Sequence, residues 1–167
     1  MKRSLPYALL IVALLGEGAR AHRHVPSELP DAVALLWGNS QALSALWTQD
    51  GDLVFLQVAG SAPPRYVEGQ KAIGDFLGSQ FAAIMRESTF TVKQGTTKVR
   101  QLGDAVAVVD FEATIQQTQP KGTPLDHRVT MVVVRAPATG EEPKGEPHTY
   151  HWSIAAMRMI MLRQNPQ

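Results

Sequence analysis

Residues 47–77 constrain the fold of this chain more than any other stretch of its 167 residues. An apolar segment of helical period closes on LWTQDGDLVFL, a proline turn follows, and YVEGQKAIGDFL leads into a second segment of the same period. Upstream, Val33, Leu36, Leu43 and Trp47 recur at helical spacing. Ser27 suits an N-cap and Pro30 a first turn, so helix one is expected over residues 28–47. Gln49-Asp50-Gly51-Asp52 reads as its break, residues 53–58 as a short strand, and residues 60–64 as a turn too rich in Gly and Pro for a helix or a central strand. From Glu68 a second helix is expected, with Ile73, Phe76, Leu77, Phe81 and Ile84 on one side. Gly74 and Gly78 share a face of it, where a neighbouring element can come close.

Everything after that reads as strand. Residues 90–100, 105–118, 127–135 and 150–162 are rich in β-branched and apolar residues, the first two joined in a hairpin across Gly103-Asp104. A Pro- and Gly-rich loop, residues 137–147, precedes the last strand. Two helices followed by long strands give an α+β layout in which helix one covers the concave side of a curved antiparallel sheet. Strand parity divides residues 105–115 into an apolar face (Ala107, Val109, Phe111, Ala113, Ile115) and a mixed one (Val106, Val108, Asp110, Glu112, Thr114). The carboxylates of Asp110 and Glu112 share a face, and adjacent strands offer Arg128, Thr130 and Arg158 opposite them.

The amino terminus reads as a secretory signal peptide, residues 1–21: Lys2 and Arg3 precede an apolar stretch of about ten residues, half of what crosses a bilayer, and Ala19-x-Ala21 suits signal peptidase. Cleavage there leaves a flexible segment, residues 22–29, and one domain, residues 30–163, secreted or periplasmic, with no stable membrane span; the competing reading is an uncleaved membrane anchor, because Glu17 and Arg20 are imperfect in a cleavage region. The chain holds 16 Lys and Arg against 15 Asp and Glu; losing Lys2, Arg3, Arg20 and Glu17 brings the mature protein near −1. A near-neutral chain without a basic patch is not expected to bind nucleic acid. With no cysteine, disulfides and thiolate zinc sites are excluded.

The order and spacing of several short motifs resemble the nuclear transport factor 2-like, or SnoaL-like, superfamily, and within it the small bacterial domains labelled SgcJ/EcaC. The matching pieces are Trp47 with Asp50, Asp52-Leu53-Val54-Phe55, Glu68-Gly69 to Ile73, Arg128-x-Thr130, and Trp152-x-Ile154-x-Ala156. The resemblance spans residues 30–162. It implies a cone-shaped α+β roll with a pocket at its wide end, often paired as a homodimer through the outer sheet face. The oxidoreductase label sometimes attached to this branch has no motif here to back it, since no Gly-rich dinucleotide fingerprint follows a strand, and no cofactor is expected.

Enzymes of that superfamily move a proton beside a carbonyl with a carboxylate, which implies Asp110 or Glu112 as base, with Tyr66, Tyr150 or His127 as hydrogen-bond donor. The paired aspartates with a helix-one tyrosine of ketosteroid isomerases and the paired histidines of scytalone dehydratases are not recognisable here. The competing reading of Asp110 and Glu112 is a solvated or dimer-facing side with salt bridges. Trp37, Trp47, Phe55, Trp152 and Met157 suit an apolar pocket or simply the core, and Tyr66, Arg128, Thr130 and Arg158 complete the pocket set.

No metal site is expected. Asp50 and Asp52 read as a solvated turn. A freed His22-Arg23-His24 terminus has the donors for square-planar copper(II) or nickel(II), but reads as a tail. His148 and His151 point to opposite faces. Met157, Met159 and Met161 read as an adaptable apolar surface or dimer seam. Three functions follow, in this order: a module binding a small apolar organic ligand in the cone; a cofactor-independent isomerase, cyclase or dehydratase; or a structural dimer packed shut by its tryptophans. Asp110 and Glu112 separate the first two by pointing into an enclosed cavity or not.

Overall fold

A computed structural model describes residues 25–56, 64–118, 120–137 and 150–162. The signal segment, the His22-Arg23-His24 terminus, His148 and most of the 137–147 loop lie outside them. After a single 3-10 turn at Pro26–Glu28, α1 spans Leu29–Leu36 with Pro30 in its first turn and α2 spans Ser40–Ser44. The single helix expected over residues 28–47 is therefore two. Gly38 takes φ +95, a left-handed turn that ends α1 without the Cβ clash another residue would suffer. Asn39 then caps α2 by accepting the Ala42 N–H at 3.0 Å.

Trp47 belongs not to a helix but to the first strand. β1 runs Trp47–Leu56, and the residues expected to break a helix lie inside it as an irregularity, where its register against the last strand shifts between Trp47 and Asp52. The bulge folds the Trp47 indole back on its own strand, so that Nε1–H donates to the Asp52 carbonyl at 3.0 Å. Gly51 is needed there: a Cβ on it would sit 2.9 Å from Trp47 Cδ1 and 3.0 Å from the Ile154 carbonyl oxygen.

β2, Arg65–Glu68, pairs antiparallel with β1 and was not legible as a strand. The second helix is also two, α3 at Gln70–Gly78 and α4 at Ala82–Arg86. Its expected apolar side holds for Ile73 and Leu77, which are buried, but Ile84 is exposed and Met85 takes the inward position after the break. Gly74 and Gly78 face α2, where a Cβ would lie 3.1 Å and 3.2 Å from the hydroxyls of Ser44 and Ser40. The two small-residue pairs let α2 and α3 pack at close range.

The strand expected over residues 90–100 is likewise two, β3 (Ser88–Val92) and β4 (Lys98–Gly103), lying end to end along β5 (Val106–Gln117). Thr96 holds the break between them by accepting the Glu112 N–H at 3.0 Å. The hairpin across Gly103-Asp104 forms as expected. β6 (Leu125–Pro137) and β7 (Tyr150–Met161) complete a curved, unclosed sheet of seven strands ordered β2-β1-β7-β6-β5-β3, with β4 also on β5. All pairs are antiparallel except β1 with β7, which is parallel.

The helices cover one face, and the core lies between. Ala107, Val109, Phe111, Ala113 and Ile115 are all buried there, as the alternation of β5 demands. Met157 and Met159 are also core, which corrects their reading as a surface stripe. The register of β7 against β6 shifts between Val132 and Val133, and this bulge brings Ile154 to the same buried side as Met157 despite their odd spacing. No helix among the described residues is long and apolar enough to cross a membrane.

Candidate functional site

Parity distributes the candidate residues over two faces. On the helix-covered side, Trp37, Trp47 and Phe55 surround an interior cavity together with Leu43, Phe76, Phe81 and other apolar side chains. Its volume is about 20 Å³, little more than one water occupies. Aromatic rings fill the rest. Trp37 stacks on Phe90 at 4.8 Å and meets Phe81 edge-on at 6.1 Å, while Phe81 touches Phe55 at 5.2 Å and Phe76 at 5.8 Å. The Trp37 indole N–H donates to the Ser88 hydroxyl at 3.1 Å. Trp152 is only partly buried against the core and does not line the cavity.

His127 lies one ring further in. It is 1% exposed, with the Phe55 ring 6.0 Å away. Its Nδ1 is 2.9 Å from the Leu125 carbonyl oxygen, and its Nε2 has no hydrogen-bond partner among the described residues. Burial pushes the imidazole below its ordinary 6.5, against smaller opposing effects of the Leu125 carbonyl and the Asp126 charge. The ring is therefore neutral at pH 7.

Tyr66, Arg128, Thr130, Arg158, Asp110 and Glu112 all stand on the opposite, outer face. Cross-strand pairing sets Lys98, Asp110, Thr130, Arg158, Val54 and Tyr66 in one row across the sheet. Thr130 donates to the Asp110 carboxylate at 2.6 Å. In the next row Arg128 lies 3.7 Å from Glu112, and Lys93 bridges to Asp126 at 2.7 Å and to Glu112 at 3.7 Å. The Lys93 bond, helped by the Thr114 hydroxyl, holds the Asp126 carboxyl below its usual range. Glu112 thus meets Arg128 as expected across the strands, whereas Asp110 is bonded to the Thr130 hydroxyl and shares only its row with Arg158. Neither carboxylate lines the interior cavity, because alternation puts them on the side away from Phe111 and Ala113.

Tyr66, 60% exposed, borders a second hollow. This is an open groove of about 340 Å³ between β2 and α3, lined by Arg65, Tyr66, Val67, Asp75, Phe76 and neighbours. Phe76 lines both the groove and the interior cavity. Sequence periodicity put Phe76 on the core side of its helix, but its place as a shared wall depends on β2. No group of three or more His, Cys, Asp or Glu among the described residues is placed to hold a metal ion. Tyr150 and His151 open β7, and their side chains lie outside the described residues.

No protein-family model matches the sequence, and no curated protein sequence matches it. Solved structures do match. An NTF2-like protein with a cystatin-like fold from Novosphingobium aromaticivorans superposes with TM-score 0.60 at 19% identity, over 83% of this chain and 80% of that one. The chain has the NTF2-like, cystatin-like fold. A ketosteroid isomerase-like protein from Erwinia carotovora atroseptica shares this NTF2-like fold at TM-score 0.54 and 16% identity, covering 83% and 95% of the two chains. So does the yeast Ubp3-associated protein Bre5, at 0.57 and 14%, covering 81% and 92%. At such identities the NTF2-like architecture is what is shared, and it serves unlike purposes.

Proposed function

We propose that this NTF2-like domain is a binding module for a small apolar organic molecule, taken up from the β2–α3 groove into the helix-covered side of the sheet. The observation that carries this reading is Phe76, a half-buried residue that lines both a groove of about 340 Å³ and a wholly apolar cavity of about 20 Å³. Ligand pockets begin near 300 Å³ and are lined mainly by aromatic and aliphatic groups. Swinging one ring joins the volume of the groove to the lining of the cavity. Trp37, Phe55 and Phe81 then contact the ligand directly.

The test is a titration of N-phenyl-1-naphthylamine against the full chain, followed by tryptophan fluorescence, with Phe76→Ala alongside. Saturable binding in the titration is the expected result, with association several-fold faster in Phe76→Ala when the same fluorescence is followed after rapid mixing. Absence of saturable binding in both proteins overturns the reading.

The outer face supports a homodimer in this proposal. Val132 and Ala156, both partly exposed, lie in one row beside the Asp110–Thr130–Arg158 row, with Val108 buried at its end, so a second copy meets a small apolar area and charges of both signs. Sedimentation of wild type against Val132→Lys checks it: a dimer that the lysine converts to monomer is expected. We further propose that residues 1–21 act as a signal peptide that directs the module out of the cytoplasm.

A further inference from the structure

Thr48 Oγ1, Asp52 Oδ1 and His127 Nε2 are buried without a hydrogen-bond partner among the described residues, and of these His127 is the one set beside the Phe55 ring that lines the cavity. A backbone carbonyl only accepts hydrogen bonds, so the 2.9 Å contact to Leu125 fixes the proton on Nδ1. In a neutral ring Nε2 is then a bare lone pair. It is an acceptor with no hydrogen-bond partner among the described residues, and a buried acceptor left unsatisfied costs free energy that a fitting donor restores.

The described neighbours offer none. Ala113 and Met161 flank His127 across the strands, and Phe55 covers it from β1. Asp126, next in sequence, points to the outer face and is committed to Lys93 and Thr114. Phe55 lines the interior cavity as well, so the imidazole stands one ring behind the space assigned to the ligand.

We propose that His127 Nε2, reached when the Phe55 ring that stands between it and the cavity turns aside, is the acceptor that anchors the ligand's polar end, and that the ligand accordingly presents a hydroxyl or N–H donor rather than a bare carbonyl. This rests on the cavity reading above and narrows it to apolar alcohols, phenols or amides. A ketone or ether sets lone pair against lone pair and gains nothing at this nitrogen. The role is the reverse of the donor function that sequence assigned to His127.

The experiment compares 2-naphthol with 2-methoxynaphthalene, equal in ring system but not in donor, on the full chain and on His127→Phe. The naphthol is expected to bind about tenfold more tightly to the wild type, and the preference to vanish in the variant. Equal affinities overturn the donor inference while leaving the cavity intact; binding of neither probe overturns the cavity reading and this inference with it. Because His127→Phe can fail to fold, nitrogen-15 spectra of histidine in the wild type give an independent check. Nε2 is expected unprotonated in the free protein and shifted toward the hydrogen-bonded range by 2-naphthol. A proton on Nε2 in the free protein, or no shift on saturation, overturns it.

Discussion

Single side chains carry two consequences that can be measured. The buried imidazole of His127 resists protonation, so the unfolded chain binds a proton near pH 6.5 that the folded chain refuses. Its contribution to stability is complete above that pH and is lost as the pH falls below it. Urea melts at pH 7.5 and pH 5.5 are expected to show a loss of stability on acidification that His127→Phe lacks. Asp126 acts in a separate window, since its carboxyl is held below the ordinary 3.8 and its smaller, solvent-screened contribution is lost only in stronger acid. Gly51 gives the second case. A methyl group there meets the Trp47 ring and the Ile154 carbonyl inside 3.1 Å, so Gly51→Ala is expected to cost about 1–3 kcal/mol, read from the denaturation midpoint.

At the level of elements, the seam between α2 and α3 is the most exacting contact. Gly74→Val is expected to destabilise the protein by about 1–3 kcal/mol through the Ser44 hydroxyl, and Ser44→Ala to recover part of that in a double mutant measured by thermal melting. The glycine spacing announced this seam in the sequence, because small residues four apart have few other uses. β5 was as legible, since one face packs on a core and the other meets water. The helix breaks were not. The apolar period continues through Trp37-Gly38-Asn39, and nothing local says that Gly38 turns left-handed. Parity failed on β7 for a related reason: a bulge is a property of two paired strands, and one strand read alone keeps a period of two. Among the site residues, Trp37, Trp47 and Phe55 were legible as apolar aromatics around one space. The row holding Asp110, Thr130, Arg158 and Tyr66 depends on cross-strand register. The acceptor role of His127 depends on a carbonyl two residues away, which only the folded backbone aims at Nδ1.

For the whole molecule, packing density decides between readings. Phe111 is 2% exposed at the middle of the inner face, and Phe111→Ala is expected to cost about 3–5 kcal/mol in equilibrium unfolding. The interior leaves almost no free volume, so any guest must be admitted by ring movement rather than by a standing hollow. Outer-face substitutions such as Asp110→Asn are expected to leave the melting temperature nearly unchanged, because Thr130 keeps an oxygen acceptor there.

The parallel pairing of β1 with β7 sets the order of assembly. β1 is the first of the described strands and β7 the last, yet they lie side by side, with β7 also holding β6. Until residues 150–161 leave the ribosome, the nascent chain has two half-sheets and no middle, and β1 presents an unpaired apolar edge for most of synthesis. Such distant pairing makes folding slow, on the order of milliseconds to seconds. It makes the growing polypeptide a natural client for a chaperone throughout translation.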